Sequence, residues 1–113
     1  MFYTFGQNNS GGHFDSHMSD GITHFVIIEA DNMEEACDIA LDIGIYFNGV
    51  EKGIDCECCG DRWYRPWYDE GTETPKVYSQ SPEEYVKDKS SHLWMEKGKE
   101  ICVHYKDGRK EWF

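Results

Sequence analysis

Three of the chain's five cysteines fall within four positions of "GIDCECCGDRW", residues 53–63. Cys56 and Cys59 form a C-x-x-C pair followed at once by Gly60. That spacing lets two thiolates converge on a zinc ion while backbone amides point at the sulfurs. Cys58 adds a third thiolate, and His104 from the strand-like "CVH" is the candidate fourth ligand. The pair His13 and His17 in "HFDSH" is another source of imidazoles. No second C-x-x-C or H-x-x-x-H follows, so packed thiols in a tight turn remain the competing reading. A disulfide-exchange centre fits less well. That chemistry wants its first thiol at a helix N-terminus, and here the extended "RWYRPW" follows.

Two further stretches carry binding chemistry. "GQNNSGG" concentrates Gln7, Asn8, Asn9 and Ser10 between glycines that let backbone approach a ligand. It has no lysine and opens no helix, so it is not a nucleotide-binding P-loop. "DRWYRPWY" sets Arg62 and Arg65 among Trp63, Tyr64, Trp67 and Tyr68. An arginine beside an indole can grip a phosphate while the ring stacks on a base. Brought together, Gln7, Asn8, Asn9, Ser10, Arg62, Trp63 and Arg65 would make a pocket for a nucleotide-like small molecule. The competing reading is an ordinary polar loop beside core tryptophans. No G-x-S-x-G, H-E-x-x-H or phosphotransfer motif is present, so binding rather than catalysis is expected.

Charge narrows the partners. The net charge is −11, and residues 1–61 hold twelve acids against one base, Lys52, whereas ten acids meet ten bases from Arg62 onward. Such a chain repels nucleic-acid backbones, and direct nucleic-acid binding is not expected. It suits a basic protein partner or plain solvation. No signal-like or membrane-spanning run is visible, and five cysteines is an odd count, so a reducing cytoplasm and unbridged or metal-bound thiols are expected.

The elements that must position these groups read as one α+β domain over residues 1–113, with an antiparallel or mixed sheet. "MFYTF" is a strand ended by Gly6. "ITHFVIIEA" is apolar on both alternating faces, His24, Val26 and Ile28 against Thr23, Phe25 and Ile27, as in a central strand covered on both sides. The main amphipathic helix spans 31–44, with Asp31 and Glu34 as its capping box and Gly44 as its stop. Glu34, Glu35, Asp38 and Asp42 share its outer face. "GIYFNGVEKG" carries an Asn-Gly hairpin signal, and "KVYSQ" reads as extended. A short helix over 82–89 follows Ser81 as its cap. "HLWME", "EICVHY" and "RKEWF" form a three-stranded C-terminal meander, with Tyr105 opposite Lys110 and Val103 opposite Trp112.

With "GQNNSGG", "VIIEA", "GIYFNGVEKGIDCECCGDRW" and "VHYKDG" in place, the chain resembles a family of small uncharacterised proteins encoded by tailed bacteriophages. The likeness runs over essentially its whole length. It implies a phage product acting in the host bacterial cytoplasm, and carries no site residues. The expectation is therefore a non-enzymatic phage protein that counters host defence by sequestering a nucleotide-like molecule. The alternatives are an acidic inhibitor that docks its helix face on a host protein, and a zinc-stabilised structural module. Association with further copies of itself is left open.

Overall fold

The computed structural model describes residues 1–8, 17–55, 57–58, 60–66, 70–89 and 100–113. In it the chain forms strands β1 (Phe2–Gln7) and β2 (Phe25–Glu29), helix α1 (Met33–Ile43) and strand β3 (Trp63–Tyr64). Helix α2 (Pro82–Lys89) and strands β4 (Ile101–His104) and β5 (Lys110–Trp112) follow. The five strands make one mixed sheet in the order β3-β1-β2-β4-β5. Strand β1 is antiparallel to β2 and β3, β2 is parallel to β4, and β4 is antiparallel to β5.

Alternation along β2 explains the layering. Val26 and Ile28 point into one core, with Tyr3, Phe5, Trp63 and the buried Ala36 and Ala40 of α1. Phe25 and Ile27 point into a second core, with Phe2, Val77, Ile101, Val103 and Tyr85 of α2. The sheet is thus an α+β layer covered on both faces, as the doubly apolar "FVIIE" requires. Each fully buried Ile or Phe is worth ~1.5–3 kcal/mol, so the two-sided burial of this one strand outweighs any single turn or cap. Alanines at the α1 contact let that helix lie close to the sheet.

Several local expectations are corrected. Helix α1 is capped by Asn32, one residue beyond Asp31: its side chain accepts the Glu35 N–H at 2.8 Å, and the Glu35 carboxylate accepts the Asp31 N–H at 3.3 Å. Asp31 is drawn away to an ion pair with Lys106. Gly44 does end the helix, in the left-handed conformation at φ 114°. Ser81 caps α2, accepting the Glu84 N–H at 3.2 Å. Gly6 does not break the first strand: β1 runs on to Gln7, and Gly6 pairs with both Phe25 and Tyr64.

"GIYFNGVEKG" is not a hairpin. Ile45 and Phe47 are buried in the first core, which pulls the segment inward, and consecutive turns follow from Asn48. "KVYSQ" is a tight two-residue turn rather than extended chain. Val77 and Gln80 exchange both backbone hydrogen bonds, and Tyr78 and Ser79 take positive φ of 49° and 68°.

The C-terminal register also differs. Val103 faces Glu111 and Cys102 faces Trp112, while the Tyr105 N–H donates to the Arg109 carbonyl at 2.9 Å. Gly108, at φ 89°, closes a three-residue loop where a four-residue loop was expected. A slip of one residue turns every side chain of a strand to the other face. Lys110 and Trp112 therefore lie with Cys102 and His104 on the α1 side of the sheet. The first strand of the expected meander, "HLWME", lies outside the described residues. No described helix is long and apolar enough to cross a membrane.

Candidate functional site

The pairing of β1 with β3 joins part of the expected pocket. Gln7 faces Trp63, and the Asn8 N–H donates to the Arg62 carbonyl at 2.6 Å. The Gln7 amide donates to the Thr23 carbonyl at 2.7 Å, tying the end of β1 to the approach to β2. The side chains, however, turn to structural partners. Trp63 is 3% exposed within the first core, so its ring offers no outer face for stacking. Arg62 is buried against Asp55, its Nε 4.0 Å from Asp55 Oδ1, while its own N–H donates to Asp55 Oδ2 at 2.8 Å. Asp55 also accepts the Tyr46 hydroxyl at 2.9 Å, and burial together with that bond raises the Tyr46 pKa. A buried cation needs such a partner, and this one anchors the turn-rich segment between α1 and β3. Arg65 is exposed, its guanidinium 4.5 Å above the Phe47 ring. Asn9 and Ser10 lie outside the described residues.

The proposed metal set is also divided. Cys56 and Cys59 lie outside the described residues, and Cys58 is exposed. The turn is held at both flanks, by Asp55 as above and by Asp61, whose carboxylate accepts the Val50 N–H at 2.9 Å. His104 is elsewhere. It stands on β4, separated from β3 by two intervening strands, about 14 Å at ~4.8 Å per strand. Its Nε2 lies 2.9 Å from the Gly21 carbonyl, and since a carbonyl only accepts, Nε2 carries the proton. Burial lowers the His104 pKa, which favours this neutral form. His104 thus has a structural partner in the Gly21 carbonyl. Its neighbour Cys102 is inert, its thiol pushed up to about 11 by burial. Among the described residues, no group of three or more His, Cys, Asp or Glu is placed to hold a metal ion.

Among the described residues, a concavity lies between α1 and the β4–β5 hairpin. It is an open groove of about 500 Å³, within the usual range for small-molecule sites. Ile28 and His104 lie on the strand side, Glu35, Ile39 and Ile43 follow along α1, and Lys106, Arg109 and Lys110 belong to the hairpin. Residues 35, 39 and 43 recur every fourth position, so one stripe of the helix runs ~12 Å along the groove. Lys106 joins the two walls: its ammonium pairs with Asp31 at the start of α1, and its N–H donates to Glu29 at 3.0 Å. That contact holds the Asp31 carboxyl below its ordinary pKa and raises that of Lys106. Arg109 stacks on the Tyr105 ring at 4.2 Å. Lys110 faces His104 in the β4–β5 register, so its side chain leaves the sheet on the α1 side.

This groove was not among the sites expected from sequence. A signal was present: Lys106, Arg109 and Lys110 put three of the chain's eleven bases into five positions around the Asp107-Gly108 turn. What was missing was the pairing of β4 with β2, which sets that turn beside a helix about seventy residues earlier. No curated protein and no solved structure matches the chain. A family model matches it from residue 1 to residue 113, and the chain belongs to that family, a domain of unknown function designated DUF7296.

Proposed function

We propose that this protein is a non-enzymatic binding protein whose ligand is a nucleotide-like small molecule held in the groove between α1 and the β4–β5 hairpin. The observation that carries this reading is the meeting of three chemistries in one groove. Ile39 and Ile43 supply apolar surface for a planar ring, Glu29 and Glu35 can accept from sugar hydroxyls or amino groups, and Lys110 supplies a cation for phosphate. Lys110 stands in a strongly acidic chain, and no carboxylate pairs with it among the described residues. The likeness to phage proteins suggests the setting: sequestration of a host nucleotide, with the ligand released unchanged. Native mass spectrometry of protein purified without chelator tests this reading, the native mass being compared with the denatured mass. A nucleotide-sized excess that is lost on denaturation supports the groove. A bare native mass, with no resonance of Ile39, His104 or Lys110 shifting when AMP or GMP is added, refutes it.

A second reading has its own observation. On the outer face of α1, Leu41 is 49% exposed beside the exposed Glu34, Asp38 and Asp42. An apolar residue ringed by carboxylates suits a basic protein surface with a hydrophobic pocket. Association through that face would slow steeply as ionic strength rises, and a salt-independent on-rate would dismiss it.

A further inference from the structure

Trp112 is 40% exposed, an uncommon setting for an indole in a domain whose Trp63 is fully packed. Its position follows from the observed register. Cys102 faces Trp112 and His104 faces Lys110, so Trp112 and Lys110 project to the same side of β5, the side of the groove. The two residues are about 7 Å apart along the strand, at ~3.4 Å per residue, the scale of the step from a phosphate to the base it carries. Lys110 lines the groove, and Trp112 places an exposed indole two residues further along the same strand, on the same side of the sheet.

Resting on the groove reading above, we infer that the ligand is a dinucleotide. One base lies against Ile39 and Ile43 of α1, the bridging phosphate meets Lys110, and the second base stacks on Trp112. A mononucleotide fills only the groove and the Lys110 contact. The stack on Trp112 is sequence-tolerant, because every base presents a π-face.

The test compares AMP with the linear dinucleotide ApA on the wild-type chain and on Trp112→Ala by isothermal titration. Trp112→Phe serves as the conservative control, and thermal midpoints confirm folding. Trp112→Ala is expected to weaken ApA roughly five- to hundredfold and to leave AMP within about twofold, while Trp112→Phe restores most of the ApA affinity. If wild type binds AMP and ApA is unaffected by Trp112→Ala, or both ligands weaken equally, the dinucleotide inference fails and the groove reading stands. If neither ligand binds wild type, both fail together.

Discussion

Gly21→Ala is the most informative single change in the scaffold beneath the groove. Gly21 has φ 74°, and a β-carbon there would stand 2.5 Å from His104 Cε1, 2.7 Å from His104 Nε2 and 3.1 Å from Cys102 Sγ. The first two contacts are shorter than a real side chain tolerates, so the imidazole must move. The left-handed backbone costs an alanine ~1–2 kcal/mol. Displacing His104 forfeits its hydrogen bond to the Gly21 carbonyl, ~1 kcal/mol, and overpacking a closed core adds ~1–3 kcal/mol. Together these come to about 4 kcal/mol, a large share of the ~5–15 kcal/mol that holds a domain together. With a urea slope of ~1–3 kcal/mol/M, the unfolding midpoint should fall by about 2 M. The same substitution made in a His104→Ala background should cost at least ~1.5 kcal/mol less, since the atoms it strikes are gone. A loss below ~1 kcal/mol, or an equal loss in both backgrounds, would refute the reasoning.

Other changes test neighbouring parts of the account. Asn32→Ala should cost ~1 kcal/mol in urea unfolding by removing the α1 cap, whereas Asp31→Ala should stay within ~0.5 kcal/mol; the reverse order would restore Asp31 as the cap. His24→Ala leaves the buried Glu100 carboxylate without the imidazole 2.9 Å away, and because His24 is one-fifth exposed the expected loss is ~2 kcal/mol, less than for a fully buried pair. His104 is held below its ordinary pKa of 6.5, so the unfolded chain binds a proton that the folded chain refuses. Its contribution is complete above about pH 6.5 and is lost as pH falls towards the lower folded value. Urea midpoints measured at about pH 7.5 and pH 5 should therefore fall further for wild type than for His104→Gln, and parallel falls would count against it. Chelator should leave the thermal midpoint within about 1 °C of its starting value, because His104 is committed to Gly21 and the flanks of the cysteine turn are held by Asp55 and Asp61. A larger drop would establish a structural metal at the cysteines.

What could be read from the sequence was local. The apolar faces of "FVIIE" announced a central strand because burial on both sides leaves no polar alternation. Gly44 and Ser81 announced helix ends because a left-handed stop and a hydroxyl cap are written in single residues. The cap of α1 was misplaced by one position because Asp31 and Asn32 have equal intrinsic claims. It was settled by Lys106, 75 residues away. Register failed for a related reason. An Asp-Gly pair marks a turn but does not count its loop, and here the count decides which face Trp112 and Lys110 occupy. The site was hardest to see. Arg62 and Trp63 have the composition of a ligand platform, yet burial and Asp55 claim them for the scaffold. The groove exists only because β4 lies parallel to β2, a pairing that no local pattern states.

Isothermal titration of AMP against wild type, Lys110→Glu and Arg65→Ala tests the central claim most directly. Saturable binding to wild type that is unchanged by Arg65→Ala and weakened at least about tenfold by Lys110→Glu, the scale of reversing a charge beside an anion, is the predicted result. Binding that survives Lys110→Glu but is lost in Arg65→Ala would move the site to the β3 edge, and no saturable binding to wild type would contradict the groove altogether.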